Sequence, residues 1–430
     1  MSIWKSITEL ENRKGHLYFD GCNVNDLVQR YGSPLYVYSK NRIKKNYFRL
    51  LNAYKHNYPH FEVFYAIKAN NNPAVVKTLA LCGAGGDASC LAEIQLARNA
   101  GIPLNRILYS AVYSSHNDLS RAMQHNVRLN VEDITQLTRL RAIGMPDSLC
   151  IRVNPGVGGT GAEGVIFAGP DAKFGVIERD IEKAYALAKE FGVKRFGIHM
   201  MTGSNILKAD YFQFIVEKLL DIAGPIAKKL NIRFDFIDIG GSLGVPYRPN
   251  EEELDIELVA ASVVTTLRKK LEQYDLGEPL LIHEPGRYLV ADAGILLAKV
   301  TSIKEGYKKF IGLDAGMHTL LRPALYQAYH HILYANNLDA PEDEHVNVVG
   351  QICENTDTFA ANRLLSSKIA VDDILAFLNT GAYGFGMSTQ YNSQPRSAEV
   401  LVDNGKSEII RERETFEDLV RGTKIPEFVT

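Results

Sequence analysis

What this 430-residue chain lacks narrows its reading before any motif is considered. It has no run of ~18 apolar residues, so no segment reads as crossing a bilayer. It has no excess of one charge. The formal net charge is -2 and no basic patch appears, which argues against nucleic acid as a partner. Its five cysteines (Cys22, Cys82, Cys90, Cys150, Cys353) are irregularly spaced and form no close metal-ligand pair. They read as reduced thiols of a cytoplasmic enzyme, with no metal expected. The segment Met1-Ser2-Ile3-Trp4-Lys5 lacks the apolar core of a secretory signal. Repeats and low-complexity tracts are absent as well.

What is present is ordinary globular composition, with 46% hydrophobic and 23% charged residues, and enough length for two domains. From about residue 60, short β-prone runs alternate with longer helical ones. Strands are expected at 63–68, 85–88, 106–110, 128–131, 149–153, 196–201, 234–239 and 280–283. Helical runs at 73–81, 91–99, 116–125, 134–143, 180–191, 209–230 and 258–274 separate them. Strands buried on both faces and joined by helices make a parallel sheet. Eight such units predict an α/β fold, a closed (β/α)8 TIM-like barrel. An open doubly wound sheet is disfavoured because no G-x-G-x-x-G follows the first strand. Beyond residue 288 the β-prone runs at 295–303, 309–314, 346–352, 374–379, 398–402 and 407–411 predict a C-terminal, mostly antiparallel β domain. The expected division is 1–39, an N-terminal segment partly returning to the β domain; 40–288, the barrel; and 289–430, the β domain. The stretch 156–170 is irregular and Gly-rich.

Residues at the C-terminal ends of barrel strands face the active site, and the unusual residues fall there. Lys68 closes Phe64-Tyr65-Ala66-Ile67-Lys68. If it points inward, burial lowers its pKa and makes the amine nucleophilic, as attachment to an aldehyde requires. Taken alone it is more often a solvated surface residue. Asp87 ends the second strand, Thr202-Gly203-Ser204-Asn205 the sixth, and Asp238-Ile239-Gly240-Gly241-Ser242-Leu243-Gly244 the seventh. Glu284-Pro285-Gly286-Arg287 ends the eighth. Gly240, Gly241 and Gly244 allow a backbone nest for an anion, helped by Ser204, Gly286 and Arg287; the plainer reading is tight βα turns. Glu284 suits a protonated pyridine nitrogen, or else a local salt bridge. Cys353 differs from the other cysteines in its polar setting, Glu354-Asn355-Thr356-Asp357, where a thiol can donate a proton.

Several of these segments together resemble the fold-type III pyridoxal-phosphate-dependent decarboxylases, from about Tyr31 to Leu419. Tyr65-Ala66-Ile67-Lys68-Ala69-Asn70 is similar to the cofactor-lysine segment, and Glu284-Pro285-Gly286-Arg287 to the phosphate and ring-nitrogen segment. Asp314-Ala315-Gly316-Met317 with Leu321-Arg322-Pro323-Ala324-Leu325-Tyr326 resembles the substrate stretch. Cys353-Glu354-Asn355-Thr356-Asp357 resembles the segment of the catalytic cysteine. Gly381-Ala382-Tyr383, Tyr391-Asn392 and Pro395-Arg396 resemble the C-terminal cofactor segment.

The resemblance implies a carbon–carbon lyase with pyridoxal 5'-phosphate that converts meso-2,6-diaminopimelate to L-lysine and CO2. A related decarboxylase for ornithine, lysine or a carrier-tethered substrate is the alternative. A non-enzymatic cofactor-binding regulator on a related barrel is the more distant one, because such proteins lack the second domain. Lys68 and Cys353 would be catalytic. Lys68, Asp87, Met201, Ser204, Gly241, Glu284, Gly286, Arg287 and Tyr383 would surround the cofactor. Arg287, Arg322, Tyr326, Glu354 and Tyr383 would hold the substrate. The chain would act as a homodimer with Cys353 supplied from the partner subunit. Two positions depart from the pattern. Met201 stands where a ring-stacking His is usual, with His199 one strand step deeper on the same face, and Ser242 replaces a third glycine.

Overall fold

The computed structural model describes residues 7–158 and 166–429, and they form two compact units. Residues 159–165 of the irregular stretch lie outside the described residues.

One unit comprises Ile43–Pro246 and Glu252–Val290. It is a closed parallel barrel of β1 (Phe61–Ala66), β2 (Gly85–Ala88), β3 (Ile107–Tyr109), β4 (Arg128–Val131), β5 (Ser148–Asn154), β6 (Arg195–His199), β7 (Phe234–Asp238) and β8 (Leu280–His283). Each pairs in parallel with the next, and β8 pairs with β1 to close the ring. A two-residue strand, Val176–Ile177, adds to β5. Local chemistry starts and stops the intervening helices. Asn72 caps Pro73–Cys82, with Pro73 in its first turn and Gly83 at φ +100° ending it. Ser115 and Asp118 form a reciprocal capping box on His116–Gln124. Asp255 caps Ile256–Tyr274 through Leu258 N.

Inside the barrel, Phe64, Leu108, Cys150 and Phe236 come from odd-numbered strands and pack with Ile282 in one apolar cluster. Such layering by alternate strands fills a barrel and leaves its C-terminal face for chemistry. There the even strands place polar residues instead: Asp87 on β2, Asn130 on β4, His199 on β6 and Glu284 just past β8, all buried.

The other unit comprises the described residues up to Arg42, Tyr247–Glu251, and those from Ala291 on. Its main sheet runs in the order 358–365, 344–349, 309–313, 294–305, 35–39, 398–403, 406–411. Two of these pairings are parallel, 309–313 with 344–349 and 398–403 with 35–39; the others are antiparallel. Leu35–Ser39 sits centrally in this sheet, bonded on both sides. Thr358–Leu365 and Ile332–Tyr334 are strands that the sequence pattern did not announce.

Candidate active site

Lys68 lies on a single 3-10 turn, Ile67–Ala69, and not at the end of the strand itself. This corrects the expectation of a strand over 63–68, since β1 ends at Ala66. Nor is Lys68 buried in the chain: its side chain is 45% exposed. What distinguishes it is its partner: Nζ donates to Asp87 Oδ2 at 2.7 Å, and Asp87 is fully buried. Burial pushes the Asp87 carboxyl up, with the Glu284 charge adding to it, while Lys68 pulls the other way.

Behind this pair is a buried polar cluster. His199 Nε2 lies 3.3 Å from Glu284 Oε2. His199 Nδ1 is 2.8 Å from Asn130 Nδ2, which also reaches Ser110 Oγ at 3.3 Å. One donor atom each from His199, Asp238 and Glu284 lies within 4.8 Å of the others. Burial pushes the Glu284 carboxyl up, but His199, Lys68 and a hydrogen bond with Asp238 outweigh it and hold it below the ordinary range. Asp238 goes the other way, raised well above that range by burial and by the Glu284 charge. Sequence reasoning gave no role to Asn130, Asp238 or Asp87's bond to lysine. The signal for Asp238 was its place as the last residue of β7.

The loops after β6 and β7 are stitched together. Ile206 N donates to Ser242 O at 2.9 Å, Gly244 N to Ile206 O at 3.0 Å, and Val245 N to Asn205 Oδ1 at 3.0 Å. A three-glycine anion nest is not what this produces. The Gly240 amide donates to Asp238 Oδ1 at 2.9 Å and the Gly244 amide to a carbonyl. The Gly241 amide donates to Met201 Sδ at 3.2 Å. A thioether is a weak acceptor that an oxyanion can displace, so Gly241 alone of the three keeps an amide for a phosphate. A side chain at Gly241 would put Cβ 2.5 Å from Glu284 O, so only glycine fits. Nearby, Arg287 on the helix Arg287–Val290 donates to Ser204 Oγ at 3.3 Å.

The two departures from the usual pattern touch each other. Ser242 Oγ lies 3.7 Å from Met201 Sδ and donates to Gly203 O at 2.9 Å. Ser242 has φ +69°, a backbone region that costs an L-residue roughly 1–2 kcal/mol. Its hydroxyl bond offsets part of that cost.

In the other unit, Arg322 is 1% exposed on the short helix Arg322–Tyr326. Its guanidinium lies 2.9 Å from His330 Nε2 and 4.9 Å from the Tyr247 ring centre. His330 Nδ1 in turn meets Leu378 O at 2.8 Å. Burial lowers the Arg322 pKa to about 10, with Tyr383, Tyr326 and Tyr36 opposing the shift. Neither His330 nor Tyr247 was foreseen as part of this setting. Tyr383 is held at φ +56°. Cys353 and Glu354 are exposed, on bends between Glu344–Val349 and Thr358–Leu365. Asp357 pins that loop, accepting from Ile352 N at 2.7 Å and Met317 N at 2.6 Å.

A pyridoxal phosphate fits the barrel residues. They offer an accessible amine on Lys68, a buried anionic carboxyl on Glu284, an amide at Gly241 in a cradle that no Cβ can enter, a Ser204 hydroxyl and the Arg287 charge.

Residues 44–291 match the pyridoxal binding domain of the pyridoxal-dependent decarboxylases. A diaminopimelate decarboxylase of Methanothermobacter thermautotrophicus is 47% identical over 96% of this chain and 97% of its own length. One from Aquifex aeolicus is 37% identical over 96% of both chains. The structure of the diaminopimelate decarboxylase of M. jannaschii, in complex with L-lysine, superposes with a TM-score of 0.91 at 32% identity, covering 98% of this chain and 99% of that one. Pyridoxal phosphate is the cofactor that goes with this domain. By barrel, cofactor residues and near-full-length identity alike, this chain belongs to the diaminopimelate decarboxylase family of the pyridoxal-dependent decarboxylases.

Proposed function

We propose that the chain converts meso-2,6-diaminopimelate to L-lysine and CO2, as a cytoplasmic homodimer with shared active sites. The observation that carries the reading is relatedness to diaminopimelate decarboxylases along nearly the whole chain. The Lys68–Asp87 pair beside a buried anionic Glu284 supports the chemistry.

Each residue's part follows from its surroundings. Lys68 Nζ would hold the cofactor through its aldehyde. Asp87 keeps that amine aimed. Glu284 holds a proton on the ring nitrogen. Pyridoxal phosphate, when bound, supplies a sink for the electron pair released as the α-carboxylate leaves as CO2. Gly241, Ser204, Gly286 and Arg287 would anchor the phosphate, and Tyr383 is assigned to cofactor and substrate on the resemblance of its segment alone. Met201 would cover the ring through its sulfur, without the hydrogen bond or charge an imidazole would bring.

Arg322 is assigned to the distal carboxylate, because a desolvated planar guanidinium suits that group in bidentate fashion. Tyr326 and Glu354 complete the grip, Glu354 on the distal ammonium. Cys353 of the partner subunit, or a water it orients, returns a proton to Cα.

Product analysis tests the reading. The purified dimer, loaded with cofactor, is incubated separately with meso-diaminopimelate, ornithine and lysine. Lysine and CO2 in equal amounts from the first are expected. Faster turnover of ornithine or lysine would replace the proposal with the alternative decarboxylase.

A further inference from the structure

Asp238 has no place in the mechanism above, yet it is among the most deeply buried charged-type residues in the chain, at 0% exposure. Its Oδ1 is accounted for by the Gly240 amide at 2.9 Å. Its Oδ2 is buried and has no donor among the described residues. Glu284 Oε1 is in the same state. A buried acceptor without a donor is costly, and here two occur in one cluster with His199.

Two carboxyl groups cannot hydrogen-bond while both are ionised, but a single proton between them satisfies both orphaned atoms at once. The question is which group carries it. Glu284 faces His199 Nε2 at 3.3 Å, and Lys68 also favours its anion. With the Asn130 amide donating to His199 Nδ1, the ring hydrogen sits on Nε2, 3.3 Å from Glu284 Oε2 though without a formed hydrogen bond to it. Asp238 instead meets the negative charges of Glu284 and Asp87, which together with burial push its carboxyl up. Neutrality therefore belongs on Asp238 and charge on Glu284.

We propose that Asp238 is a positioning residue: it keeps a proton on Oδ2, donates it to Glu284, and with His199 fixes that carboxylate as the anion that faces the cofactor ring nitrogen. The inference rests on the reading of Glu284 given under the proposed function. The strand register makes the arrangement rigid, because His199 is paired directly with Asp238 across β6 and β7. A carboxylate held from two sides keeps its remaining lone pairs aimed. It acts on the cofactor only through Glu284.

The test uses apo-protein and reads binding. Wild type, Asp238→Asn and Asp238→Ala are titrated with pyridoxal phosphate and with its 1-deaza analogue, in which carbon replaces the ring nitrogen. Wild type is expected to prefer the natural cofactor by roughly tenfold or more, the worth of a hydrogen bond to a charged group. Asp238→Asn should keep that preference, since its amide can accept from Gly240 and donate to Glu284. Asp238→Ala should lose most of it. No preference in wild type overturns the reading of Glu284 and the inference with it. A preference retained in Asp238→Ala overturns the role of Asp238 alone. Should Asp238→Ala not fold, infrared spectroscopy of apo wild type and Asp238→Asn decides. Wild type should show a protonated-carboxyl band at neutral pH that the Asn variant lacks, and identical spectra overturn the proposal.

Discussion

At the scale of single residues, Lys68 is set apart by what faces it. Its amine is accessible yet tied at 2.7 Å to a carboxyl with no exposure of its own. Borohydride reduction of the holoenzyme followed by peptide mapping should place the label on Lys68; a label on another lysine would refute the assignment. Arg322 is the second residue with a sharp expectation. Removing one partner of a desolvated charge pair costs ~2–5 kcal/mol. Arg322→Ala should therefore lower kcat/KM for meso-diaminopimelate by roughly thirty-fold to several thousand-fold. Cofactor occupancy, read by absorbance, should not change. An undiminished kcat/KM would remove Arg322 from the substrate site.

At the scale of elements, the loops after β6 and β7 behave as one piece. Met201 and Ser242 meet there, 41 residues apart in sequence. Residues in contact commonly couple by about 0.5–3 kcal/mol. Met201→His, Ser242→Gly and the double variant should thus be non-additive in apo-protein stability and in cofactor affinity. Additivity in both would mean that the two departures are independent. The end of β8 gives a pH prediction. His283 is fully buried, with Nδ1 2.5 Å from Gly240 O, and burial pushes its pKa from 6.5 down to about 4 against the pull of that carbonyl and Glu284. Between those values the unfolded chain binds more protons than the folded one, so acidification removes stability. The shift of 6.5 to about 4 makes this worth about 3 kcal/mol. The stability advantage of wild type over His283→Phe should shrink by that order from pH 7 to pH 4, measured by urea unfolding. A constant difference would show that His283 titrates normally.

At the scale of the whole molecule, the proposal places Lys68 and Cys353 of different chains in one active site. Lys68→Ala and Cys353→Ala homodimers should each be inactive. Mixed under conditions that exchange subunits, they should recover up to about a quarter of wild-type activity, since only heterodimers carry one intact site. No recovery despite demonstrated exchange would place both residues on one chain or remove Cys353 from the reaction.

The eight barrel strands and the helices between them were legible because each is dictated locally. Strands buried on both faces read as short apolar runs, and Asn72, Ser115, Asp133 and Asp255 mark helix starts by capping. Lys68, Asp87, Glu284 and Arg287 stood out because strand ends are where a barrel does chemistry. Thr358–Leu365 was not legible, because its burial does not alternate. Nor was the way the site assembles. Asn130, His199, Asp238 and Glu284 lie on four different strands or strand ends, and only parallel register brings His199 beside Asp238 and both beneath Glu284. The engagement of the Gly240 and Gly244 amides, and the thioether on Gly241, likewise depend on two loops meeting. The sequence by itself determined the barrel's strands and helices, most strands of the β domain, the family and the residues that carry charge. Tertiary structure decided which of those carboxyls is favoured as an ion and which is pushed toward its neutral form, because that depends on desolvation and on partners distant in the chain.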